Sequence, residues 1–253
     1  MREAKSTRFR LTPYQIIVVV AALICALLVL RRSIQSQNAY HLYEVANSPE
    51  TNIQAVDRLA AIKSEYATGL LFELAKTSAS FSNQNEAILR LGESRNPRIA
   101  DELSRMLQPH EALGVQNAVS NSLARMDCET QCMSNVLHYL ERGYYGEHNE
   151  MLDRTMVRAN LADIQNAIND NLKAVLTHNP GETLNQLIKI YGLDSPQPSK
   201  FAVLLAIDLR LSNACPSLVK AQESIVKYEK LDLHWKAPVK EAIERLDCKQ
   251  IVH

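Results

Sequence analysis

The stretch "HYLERGYYGEHNE" gathers the side chains best able to do chemistry: His138, Glu141, Glu147 and His148, with Tyr144 and Tyr145 between them. Two imidazoles and a carboxylate brought together by a loop that folds back could hold a transition metal. The opposing reading is a solvated helix end followed by an aromatic-bearing loop. The four cysteines Cys128, Cys132, Cys215 and Cys248 form the second reactive set. Zinc held by all four thiolates is disfavoured, because Cys128 and Cys132 have no matching close pair. The two remaining readings are disulfides and buried reduced thiols. If bridges form, Cys128 with Cys132 and Cys215 with Cys248 is the favoured connectivity: the first pair is one helical turn apart, and the second sits at the edges of neighbouring helices.

Other signatures of catalysis are missing. The chain has no glycine-rich phosphate loop, no GxSxG elbow, no HExxH and no paired CxxC. The only tryptophan, Trp235 in "LDLHWKAPV", is either a packed loop residue or an anchor in a binding surface. No catalytic residue, cofactor-binding residue or metal ligand is assigned, and the chain is expected not to be an enzyme.

The elements that must position these residues follow from composition. Only 7 of 253 residues are glycine and 6% are aromatic, so local propensity favours helix nearly everywhere and the expected class is all-α. "YQIIVVVAALICALLVL", from Tyr14 to Leu30, carries no charge, and as a helix it is ~26 Å long, close to the hydrocarbon thickness of a bilayer. Arg31-Arg32 directly follows, where a signal peptidase would need small residues, and Cys25 lacks the setting of a lipid-attachment site. An uncleaved transmembrane signal anchor is therefore expected.

Orientation follows from charge. Arg2, Lys5, Arg8 and Arg10 precede the span and Arg31 and Arg32 follow it, which favours a cytoplasmic N-terminus. The domain then lies outside the cytoplasm, as the periplasmic side of a bacterial inner membrane would provide, and an even set of domain cysteines suits such an oxidising compartment. Residues 33 to 253 hold 22 basic and 27 acidic side chains, a net of −5, which gives no electrostatic reason to expect nucleic acid.

The expected organisation is a basic tail over 1–13, the span over 14–30, a helical stalk over 31–50 and a folded domain over 51–253. Asn-Pro at 96–97, Gln-Pro at 108–109, Asn-Pro-Gly at 179–181, Ser-Pro-Gln-Pro at 195–198, Cys-Pro at 215–216 and Ala-Pro at 237–238 are expected helix boundaries. Self-similarity is more informative. "AVDRLA" (55–60) is matched by "AILRLG" (87–92) 32 residues later, Leu123-Ala124 keeps the register once more, and "AIDLRL" (206–211) and "AIERL" (242–246) echo it. The Ala, Ile or Val, and Leu of these motifs share one helix face, with the small residue allowing a neighbouring helix to approach.

On these motifs the chain resembles the HEAT-like repeats, including those of phycobilisome-lyase-like proteins, whose helix pairs of about 30 residues stack into an α-solenoid. The resemblance implies pairs at 52–64 with 66–79, 83–94 with 98–107, and 110–126 with 128–142. It covers 50–142 and, faintly, 199–248. The segment "RTMVRANLADIQNAINDNLKAVL" between them departs from the pattern and reads as one longer amphipathic helix. In the repeat reading, Glu93, Arg95, Arg98 and Asp101 face solvent.

What the resemblance implies about function is a membrane-anchored scaffold that presents its surface to a protein or peptide partner. The alternative is a lyase-like or other enzyme accessory factor with an unidentified site. His110-Glu111 is similar to the His-Glu pairs of iron-binding HEAT-repeat hydroxylases, but those need several such pairs and this sequence has one. Nor does it supply a residue specific for handling bilins.

Overall fold

A computed structural model describes residues 13–94, 96–107, 112–145, 170–227 and 233–248, and every regular element among these residues is helical. The chain divides into two compact units, residues 1–83 and 84–253.

In the first unit, α1 (Pro13–Ala46) is a single helix of 34 residues. Its apolar part has a mean hydropathy of 2.4 and is not buried against protein, so the helix is long and apolar enough to cross a membrane. The segment read as a stalk continues this helix without a break, and its last turns are packed: Ala39, Leu42 and Ala46 are buried, and α1 contacts α2 (Ile53–Ala60) and α3 (Glu65–Thr77). Asn52 and Ser64 cap those two helices, accepting from the Ala55 and Ala67 amides at 3.1 Å. The turn between α1 and α2 is held from within by Asn83, which is fully buried. Its Oδ1 accepts from the Asn52 amide at 2.8 Å, while its Nδ2 donates to the carbonyls of Ala46 at 2.7 Å and Glu50 at 3.1 Å.

Helix α4 (Phe81–Gly92) leads into the second unit, which continues with α5 (Pro97–Ser104), α6 (Leu113–Leu123) and α7 (Thr130–Tyr145). Then come helical residues 170–178 (α8), α9 (Pro180–Tyr191), α10 (Lys200–Asp208), a 3-10 turn at Ser212–Ala214, α11 (Cys215–Lys227) and α12 (Leu233–Arg245). The helices expected up to residue 142 fall at α2 and α3, α4 and α5, and α6 and α7. The interrupted segment lies mostly outside the described residues, which resume at 170.

Most of the expected proline boundaries hold. Pro97 and Pro180 occupy the first turns of α5 and α9, where a missing N–H costs nothing, and the Asn96 side chain accepts from the Arg98 amide at 3.0 Å. Pro238 does not mark a boundary: it lies inside α12, which gives up one internal hydrogen bond there. Gln108-Pro109 lies outside the described residues.

The repeated motif has a consistent structural meaning. Ala55, Val56 and Leu59 are buried, as are Ala87, Ile88 and Leu91 and, at the end of α12 and just past it, Ala242, Ile243 and Leu246. The arginine of each copy lies off that face: Arg90 is bound by Glu86 and Glu93, and Arg245 by Glu241. Gly92 ends its copy where α4 and α6 nearly touch. The Ser122 hydroxyl donates to the Ile88 carbonyl at 3.0 Å, and a Cβ on Gly92 would meet Ser122 Cβ at 2.6 Å and its Cα at 2.9 Å. Backbone cannot give way as a flexible side chain can. Gly92→Ala should therefore cost about 1–3 kcal/mol despite alanine's better helix propensity, lowering the midpoint of thermal unfolding followed by circular dichroism; an unchanged or raised midpoint would contradict this packing.

Candidate polar cleft between α5 and α7

Two short helices of the second unit, α5 and α7, are joined side by side through polar groups. Asp101 Oδ1 accepts from the Cys132 amide at 2.9 Å, in the first turn of α7 where backbone N–H groups have no partner within the helix. One turn further along both helices, Asn135 Nδ2 donates to Ser104 Oγ at 2.8 Å. Both ties join residues 31 apart. Asp101 is thus not the idle solvent-facing carboxylate of the repeat reading, because it anchors the start of α7. Glu93 and Arg98 are exposed as expected, and Arg95 lies outside the described residues.

The cysteines support the same junction. Cys128 is bonded to Cys132 with Cα atoms 5.3 Å apart, and Cys215 to Cys248 with Cα atoms 5.2 Å apart. All four are buried. The first bridge closes the turn that enters α7, directly beside the Asp101 tie; the second joins the start of α11 to Cys248, three residues past the end of α12. Cys25, in α1, is the free cysteine.

Beyond the second tie the helices open into a cleft of about 390 Å³ lined by Ser104, Leu107, Asn135, His138, Glu141 and Arg142. The residues at 135, 138 and 142 lie at helical spacing along one edge of α7. His138 Nδ1 stands 3.6 Å from Glu141 Oε2 and 3.3 Å from the Tyr191 hydroxyl of α9. Tyr191 is buried, its ring edge-on to Phe201 at 5.1 Å between centroids. Arg142 Nε donates to the His138 carbonyl at 3.3 Å. Among the described residues, the Arg142 terminal nitrogens and His138 Nε2 make no further hydrogen bond.

Of the sequence-proposed cluster, the structure brings His138 and Glu141 together; Glu147 and His148 lie outside the described residues, as does the pair His110-Glu111. The side chains of Tyr144, Tyr145 and Trp235 are likewise not described. Among the described residues no three His, Cys, Asp or Glu side chains come together to hold a metal. Sequence reading missed Asn135, Arg142 and Tyr191. The helical spacing of 135, 138 and 142 is a usable signal for the first two, whereas nothing local marks Tyr191, 53 residues from His138.

Beside the cleft, Tyr139, one turn from Asn135 along α7, is buried and donates to Gln116 Oε1 of α6 at 2.7 Å. Burial pushes the phenol up to about 12, with the nearby Arg142 charge acting weakly the other way. Because the folded value is raised, the neutral phenol stabilises the fold below pH 10, and that stabilisation is lost as the pH rises from 10 to about 12. Tyr139→Phe should cost about 1–3 kcal/mol at neutral pH by removing the hydroxyl that donates to the buried Gln116 oxygen. The gap between the two proteins should narrow between pH 10 and 12 in denaturant titrations; a gap that stays constant or widens would contradict the burial argument. Alkylation of the denatured, unreduced chain should label Cys25 alone, whereas labelling of the other four would contradict both bridges.

Comparison of the chain with family models, with curated proteins and with solved structures finds no match.

Proposed function

We propose that this chain is a membrane-anchored, non-catalytic interaction protein: the apolar part of α1 crosses a membrane with its N-terminus in the cytoplasm, and a HEAT-like helical-repeat domain outside the cytoplasm holds a protein or peptide partner. A bacterial inner membrane with the domain facing the periplasm is the setting that fits best. The observation that carries the reading is how the helices of the second unit pack: α5 on α7, α7 on α9 and α10 on α12, each against the next helix but one. Stacked helix pairs produce that pattern, because a short helix buries its apolar face on its pair-mate and on its counterpart in the next pair. Hydrogen bonds between residues 31 apart, at Asp101 with Cys132 and at Ser104 with Asn135, fall within one residue of the 32-residue interval of the sequence motif. Four basic residues before the span against two after it support the orientation, and the buried bridges support an oxidising compartment.

The accessory-enzyme reading is favoured by one observation, the meeting of His138, Glu141 and Tyr191 at the cleft. A partner recovered chemically altered from the native protein, but unaltered from His138→Ala, would support it over the scaffold.

Two measurements test the proposal. A cysteine placed at Lys240, whose side chain is 70% exposed, should react with a membrane-impermeant maleimide added from the outer side of the membrane, and one placed at Arg2 should not; the reverse labelling would overturn the orientation. A photo-reactive residue at Glu141 should give a discrete adduct with a second protein in membranes of the native host. Its absence there and at other exposed positions of α5 and α7 would overturn the scaffold.

A further inference from the structure

The junction of α5 and α7 has a register, and the register explains why a cleft opens where it does. Position 101 is tied to 132, and 104 to 135. The same interval sets the buried Leu107 against His138, and both line the cleft. A leucine side chain has no polar group to offer, so the polar seam with α5 stops there, and α7 continues past it packed against α6 and α9. The consequence is a short row of polar groups that α5 does not satisfy: the Arg142 terminal nitrogens and His138 Nε2, which donates in the tautomer whose Nδ1 accepts from the Tyr191 hydroxyl, with one Asn135 amide hydrogen beside them. Glu141, the carboxylate lining the cleft, is turned toward His138 Nδ1 at 3.6 Å.

We propose that this cleft binds an acidic side chain of an extended peptide segment, with Arg142 clamping the carboxylate, His138 Nε2 donating to it and Asn135 donating to a peptide carbonyl. The inference rests on the interaction-protein reading and names the chemistry of its partner. A single guanidinium beside an imidazole and an amide suits a carboxylate, whose two oxygens match the guanidinium fork. A phosphate would call for more than one fixed cation. The surface position of the site, with the His138 side chain 49% exposed, suits a passing chain rather than a buried chain end.

The test uses the full chain in detergent micelles and a fluorescein-labelled, amide-capped acetyl-Ala-Glu-Glu-Ala peptide, with the Ala-Gln-Gln-Ala peptide in amide-capped and free-carboxylate forms as comparisons. The acidic peptide should bind saturably and both glutamine peptides at least about tenfold more weakly. Arg142→Ala should raise Kd about tenfold or more, and Arg142→Lys should restore part of the loss, since it keeps the charge but not the fork. Unchanged thermal midpoints for both variants would show that the loss is one of binding. No saturable binding, equal binding of the capped glutamine peptide, or an unchanged Kd for Arg142→Ala overturns the proposal, and preference for the free-carboxylate peptide overturns the choice of a side chain. If peptide binding fails while the Glu141 photo-adduct persists, the acidic specificity falls and the interaction reading stands; the opposite pair of results removes that reading and leaves the site.

Discussion

A helix of eight to sixteen residues, such as those from α2 to α7, cannot persist alone in water, because its nucleation cost exceeds what so few internal hydrogen bonds return. Each must bury an apolar face on neighbours, and the rest of the structure follows from how that need is met. In α4 the face is Ala87, Ile88 and Leu91, all buried, and the small residues let α6 come close enough for a side-chain hydroxyl to reach the opposing backbone carbonyl. Burying each leucine contributes about 1.5–3 kcal/mol, so a handful of such contacts decides whether the pair forms.

Apolar burial is tolerant of sliding, and the polar ties are not. Asp101 with Cys132 and Ser104 with Asn135 fix the relative height of α5 and α7, since a shift of one turn would strand a buried donor or acceptor. Asn83 does the same in the first unit, where one amide serves three backbone groups of the α1–α2 turn. The cleft is a product of this arrangement. It begins where the register places a leucine, just past the two ties that join the first turns of α7 to α5.

Much of this was legible in the sequence. Scarce glycine, proline punctuation and the apolar run from Tyr14 to Leu30 give a helical fold with one helix suited to a membrane, and the individual helices up to residue 142 fall close to their expected places. Pro238 misled because a proline inside a helix and a proline at its start look the same locally. Asp101 misled because a charged residue on a short helix ordinarily faces water, and its partner is a backbone amide in another helix. Tyr191 and Asn83 were invisible for the same reason: their contacts join residues 31 to 53 apart, and no local pattern encodes such a meeting.

The central claim of the proposed repeat reading is that helices of the second unit are held chiefly by their neighbours in a stack. Amide hydrogen exchange on the chain carrying Asp101→Ala and Asn135→Ala together tests it most directly. Nearest-neighbour stacking predicts protection lost in α5 and α7, weakened in α6 and α9, and retained in α10 to α12. An equal loss of protection through all of these helices would show a single cooperative bundle and contradict the account.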